Sequence, residues 1–210
     1  MGKQNGVYTL RHRAHSTKKT SPRSLLRSSD VRGKKSRKAL LKARQQRGAI
    51  ESVGKGIWRN LAVPPSRFHS FVEPAFRSPR GVICLLSALS FHGLTTQQPS
   101  RVWFAIKQGG KPPKTAEICL EVVYMGEVFL QEGIEEHQIE GVSVRITSAA
   151  RTIADCFKFR SRVGIDVAIE ALRDCLKKRL AEPSEIRRYA QLCRVARVIA
   201  PYLETLLETL

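Results

Sequence analysis

The chain has 210 residues, room for one medium domain or two small ones, and its 42% hydrophobic content suffices for a real core. Lys and Arg total 37 against 18 Asp and Glu, a formal net charge of +19, which argues against a neutral or acidic surface module and points to a polyanionic partner. No apolar run approaches the ~20 residues of a membrane span, and the start leads into no apolar secretory stretch, so a cytoplasmic protein with no membrane partner is expected.

The charge is unevenly placed. Residues 1–80 hold 20 Lys or Arg against only Asp30, Glu51 and Glu73, whereas the remaining 130 residues carry 17 against 15. A concentrated positive field attracts nucleic acid by releasing its condensed counterions. An acidic protein surface and a passive solvated tail are the alternatives. Residues 1–24 mix Lys, Arg, His, Ser and Thr with few apolar residues and are expected to be disordered. Residues 25–46 form a basic, helix-favouring stretch interrupted at Gly33, where Ser36 is placed to cap the second of two short helices. Residues 48–59 read as a hairpin whose Ile50, Val53, Ile57 and Trp58 flank the turn Gly54-Lys55-Gly56. Pro64-Pro65, Pro74 and Pro79 mark a linker over residues 63–80.

From Gly81 the composition becomes that of a globular domain. Residues 82–91 predict a buried helix closing at His92-Gly93, and residues 102–106 and 118–124 predict strands. Residues 133–139 and 142–146 predict a hairpin around Glu140-Gly141. The last third is helical: Ser148 caps one helix, Asp166 lies early in the next, Pro183 opens a third, and Pro201 kinks or restarts the last. Strands first and helices later predict an α+β domain.

Little of this sequence carries chemistry. The five cysteines are odd in number and form no C-x-x-C pair, so neither disulfides nor zinc are expected, and most read as small core residues. The loop Gly109-Gly110-Lys111-Pro112-Pro113-Lys114 lacks phosphate-loop spacing and reads as a basic surface loop facing a DNA backbone or an acidic partner. On a strand, Glu117 and Glu121 share one face, as a nuclease metal site requires, but solvated carboxylates are the plainer reading. Glu135 and His137 alternate to one side with no nucleophile beside them in sequence, and Cys156 points inward beside Asp155. No catalytic constellation, metal or cofactor is expected.

The basic segment holds up better. A cationic helix followed by a hairpin tipped with Lys55 has the parts of a winged helix-turn-helix, the helix in the major groove and the hairpin on the flanking backbone. Trp58 reads as an anchor of the hairpin on its core. The candidate DNA-contacting residues are Arg27, Lys34, Lys35, Ser36, Arg37, Lys38, Lys42, Arg44, Lys55 and Arg59. If Lys55, Arg59 and four helix cations each neutralise a phosphate, the logarithmic salt slope is about −5.

Four ungapped runs then point to a family. PRGVICLLSALSFHGLTTQ at residues 79–97, IEGVSVRITS at 139–148, ARTIADCFK at 150–158 and GIDVAIEALR at 164–173 closely resemble the AbiEi antitoxins of type IV toxin–antitoxin systems. LRSSDV at residues 26–31 is similar to the family's LRARDL segment, and GAIESVGKGIWR at 48–59 to its wing. The resemblance implies a winged-helix segment over residues 25–62 and an antitoxin domain over 81–210. It further implies repression of the protein's own operon through double-stranded operator DNA, and a nucleotidyltransferase toxin of the AbiEii type as functional partner. Arg145, Arg151 and Lys158, beside the matched runs, are the exposed candidates for an antitoxin surface. Residues 1–24 supply no amphipathic pattern for the family's first helix, which motivates a second reading: an antitoxin module with degenerate, non-specific DNA binding. A metal-dependent nuclease using Glu117 and Glu121 is the third.

Overall fold

The computed structural model describes residues 22–31, 36–54 and 56–209; the expected disorder of residues 1–21 and the positions of Lys34, Lys35 and Lys55 lie outside them. The described chain is mixed α and β, with two sheets. It opens with β1 (Leu25–Arg27) and a 3-10 turn at Ser28–Asp30, followed by α1 (Arg37–Gln46), β2 (Ile50–Gly54) and β3 (Ile57–Asn60). These strands form an antiparallel sheet in the order β1-β3-β2. Residues 25–27 are thus a strand rather than the start of a helix. Leu25 is buried and the segment pairs with Arg59, Trp58 and Ile57, so tertiary pairing overrides local propensity. Ser24, expected to be disordered, is buried and its N–H donates to the Glu140 carbonyl at 2.9 Å.

The expected linker is instead structural. Residues 69–77 form α2 (His69–Arg77), with Pro74 inside it. Phe71, Val72, Ala75 and Phe76 recur along one side of that helix and are buried. They join Leu25, Val53 and Ile57 of the small sheet to Ile83, Phe104, Val142 and Ile146 of the larger one in a single apolar cluster. Prolines at the helix edges misled the sequence reading; the spacing of the apolar side chains is what decides.

The larger sheet comprises β4 (Val82–Ile83), β5 (Val102–Lys107), β6 (Leu120–Met125), β7 (Ile134–Ile139) and β8 (Val142–Thr147), with α3 (Leu85–His92) between the first two strands. Its order is β6-β5-β4-β8-β7. Residues 82–91 therefore split into a strand and a helix, because Val82 and Ile83 pair with Ala105, Phe104 and Ile146. Gly93 closes α3 in the left-handed region (φ 66°). Residues 82 and 103–105 are buried on both sides of the sheet: Trp103 and Ala105 face one cluster, Val102, Phe104 and Ile106 the other. Gly81 lies flat on Phe104, whose ring leaves only 2.2 Å to any Cβ built there.

A helical layer completes the domain: α4 (Ala149–Lys158), α5 (Arg160–Val163), α6 (Ile165–Lys177), α7 (Pro183–Leu192) and α8 (Ala196–Thr209). Ser148 Oγ accepts from the Arg151 N–H, as its capping role predicts, and Pro183 opens α7. Pro201 sits inside a continuous α8 and does not restart it. Together with α3, this layer covers one face of the large sheet, while α2 and the small sheet cover the other. No helix among the described residues is long and apolar enough to cross a membrane.

Candidate nucleic-acid interface

The interface is built on α1. Ser36 Oγ accepts from the Ala39 N–H at 3.3 Å, so this side chain is committed to starting the helix. Leu41 is the buried residue of α1 and packs with Val31, Ile50, Leu40 and Trp58 in a small cluster of its own. Trp58 Nε1 donates to Ser28 Oγ at 3.0 Å, which makes the indole the anchor that the sequence implies. Everything else on the helix except half-buried Leu40 faces outward.

Arg37, Lys38, Lys42 and Arg44 are all exposed, and none makes an ion pair among the described residues. No acidic residue occurs between Asp30 and Glu51. Lys38 and Lys42 stand one turn apart on one flank, and exposed Ala39, Ala43 and Gln46 follow at helical spacing beside them. Arg37 and Lys38 in the first turn, which holds no acidic residue, oppose the positive end of the helix dipole, a local cost of a few tenths to about 1 kcal/mol.

Two other predicted contacts, Arg59 and Arg27, are engaged within the protein. Arg59 is drawn into the protein: its guanidinium holds Glu51 at 2.8 Å and Glu117 at 3.6 Å, and its side chain is only a quarter exposed. With its charge shared by two carboxylates, Arg59 here braces the small sheet against the loop before β6. Arg27 Nη2 donates to the Phe76 carbonyl at 3.0 Å and its guanidinium lies over the Phe76 ring. It therefore belongs to the packing of β1 on α2, apart from the α1 face.

The acidic pair dissolves as well. Glu117 precedes β6 and pairs with Arg59, while Glu121 on β6 holds Arg162 and Arg101. The two carboxylates are turned to different cations and do not converge. Glu135 and His137 do meet, at 3.0 Å, and His137 stacks obliquely near Phe91. Cys84, Cys156, Cys175 and Cys193 are buried and Cys119 is exposed. Burial pushes the Cys175 thiol up to about 11 and the Cys193 thiol up to about 12, so both stay protonated and unreactive at neutral pH.

Of the three residues expected on an antitoxin surface, Arg151 is fully buried and the exposure assigned to it is wrong. Its Nε donates to Asp155 Oδ2 at 3.1 Å, Nη1 to the Glu132 carbonyl at 2.7 Å and Nη2 to the Phe129 carbonyl at 3.2 Å. Burial pushes the Asp155 carboxyl above its usual range, against the pull of Arg151, and Cys193 Sγ donates to its second oxygen. Arg145 is half-buried and donates to the carbonyls of Arg80 and Leu130. Lys158 is exposed, its Nζ 4.2 Å from the centre of the Phe129 ring.

Sequence reasoning missed the joint that ties the elements together. Glu140, at the tip of the β7–β8 turn, accepts from the Ser66 N–H at 2.7 Å and from His69 Nδ1 at 2.9 Å. Arg77 likewise bridges α2 and the small sheet, holding Glu73 and donating to the Val53 carbonyl at 2.9 Å. An alternation pattern cannot reveal partners 70 residues apart. No family model matches the chain, and no curated protein matches it.

Proposed function

We propose that the protein is a DNA-binding autorepressor and antitoxin, in which β1, α1 and the β2–β3 hairpin act as a winged helix-turn-helix and α1 enters the major groove of its own operator. The carrying observation is α1 itself: four exposed cations with no ion pair among the described residues, two of them, Lys38 and Lys42, on one flank beside two alanines small enough to let a helix approach the base edges. The amide of Gln46 on that same face suits bidentate pairing with adenine and is the candidate base reader. The resemblance of residues 79–97 and 139–173 to AbiEi antitoxins supports the second half of the reading, with a nucleotidyltransferase toxin as the functional partner.

Band-shift titration of a duplex bearing the gene's own promoter, against an unrelated duplex of equal length, tests the first half. Lys38→Gln with Lys42→Gln should weaken binding to both duplexes, Gln46→Ala should erase the preference for the promoter, and Arg59→Gln should leave DNA affinity within about twofold. Equal affinity of the wild-type protein for both duplexes rejects specific repression and favours the non-specific antitoxin module. Co-expression with the adjacent gene tests the second half: loss of viability in cells without the present protein, restored by it, is the expected result. Unimpaired growth without it rejects the antitoxin role.

A further inference from the structure

On the large sheet, away from α1, lies a second basic feature whose charge is not accounted for by packing. A cleft of about 480 Å³ opens between residues 78–81, the loop after β5 and the 3-10 turn before β7. Its lining includes Arg80, Lys107, Lys111 and Arg145 against one carboxylate, Glu127. Lys107 Nζ neutralises Glu127 at 2.7 Å, leaving three cations without an acidic partner within 4 Å among the described residues. Arg145 is held in place by neutral groups only, Nη1 on the Arg80 carbonyl at 2.9 Å and Nη2 on the Leu130 carbonyl. Two carbonyls fix the guanidinium and leave its full charge, and its remaining N–H groups, for something else. Ile106 and Leu130 close the cleft from below and are themselves all but buried, so the groups it presents to a ligand are mainly polar.

Three cations without an ion-pair partner among the described residues, in a volume suited to a small molecule, make an anion site. We propose that this cleft binds an oligophosphate chain, free or at the end of a nucleotide, with the phosphates on Arg80, Lys111 and Arg145. The excess of three positive charges matches a triphosphate chain better than a single phosphate. Gly110 belongs to the design: a Cβ there would lie 2.8 Å from the Lys107 carbonyl, so the loop turns tightly enough to bring Lys111 to the cleft.

Calorimetric titration of the full chain with ATP, adenosine and inorganic tripolyphosphate, without divalent metal, tests this. The expected result is saturable binding of tripolyphosphate and of ATP at one per chain, within about tenfold of each other, and no adenosine binding. Arg80→Gln with Lys111→Gln, both exposed and so neutral to folding, should weaken ATP at least about tenfold. Lys38→Gln with Lys42→Gln on α1 should change it by less than about twofold. Absence of saturation by either phosphate, adenosine binding as tight as ATP, or equal losses in the α1 variant would each overturn the proposal. So would a cleft variant that lowers DNA affinity while ATP fails to bind, since the cleft would then be part of the duplex interface.

Discussion

At the scale of single residues, the side chain with the largest consequence is Arg151. A guanidinium with no exposed surface persists only where each face of it is answered, and here a carboxylate and two carbonyls do so. Through those bonds α4 grips the residues just before β7, a connection that apolar packing alone would leave free to shift. Arg151→Met strands the Asp155 carboxylate in the core and orphans the carbonyls of Phe129 and Glu132. It should cost about 3–5 kcal/mol in urea unfolding. Adding Asp155→Leu removes the stranded acid and should restore part of that loss. An Arg151→Met midpoint at the wild-type urea concentration would show that the buried pair contributes nothing. In a toxin-rescue assay the single variant then fails in proportion to its unfolded fraction, because no Arg151 surface exists to be lost.

At the scale of elements, the secondary structure of the carboxy-terminal domain was largely legible and its joints were not. The β7–β8 hairpin, the Ser148 cap and the apolar faces of α6 and α7 follow from periodicity and cap chemistry, which act within a few residues. Residues 25–27 and 82–83 were misread because their strand character comes from partners more than 20 residues away. In the candidate site, the cations of α1 and its cap were readable, whereas the capture of Arg59 by Glu51 and Glu117 depends on folding. The Glu140 joint is of the same long-range kind and has a pH signature. Burial raises its carboxyl, but the Ser66 N–H and His69 outweigh this and hold it below the ordinary 4.5. The stabilisation is therefore complete above that value and disappears as pH falls through the lower, folded-state value. Glu140→Gln should cost on the order of 1–3 kcal/mol at neutral pH. It should also flatten the loss of stability below about pH 4.5. Acid-unfolding curves of equal steepness in variant and wild type would remove Glu140 from the account.

For the whole molecule, the question is how a strongly cationic surface coexists with a folded domain whose charges are nearly balanced. The answer lies in which cations are satisfied internally. Arg59, Arg77, Arg151 and Arg162 each face a carboxylate, and Arg27 faces a carbonyl and a ring, so a part of the positive charge is structural. The cations of α1 are not among them, and the helix itself is seated on the small sheet by its own cluster of Leu41, Val31, Ile50 and Trp58. The distinction is measurable through ion release. Counting Lys55 with Arg37, Lys38, Lys42 and Arg44 as phosphate contacts, the dependence of log affinity on log salt should have a slope of roughly −4.5, shallower than the slope of six contacts that include Arg59. Lys38→Gln should reduce the magnitude by about one, and Arg59→Gln should leave the slope unchanged while lowering thermal stability. A slope that falls equally for both variants would mean that Arg59 releases its carboxylates and turns to the duplex, and its role as an internal brace would have to be given up.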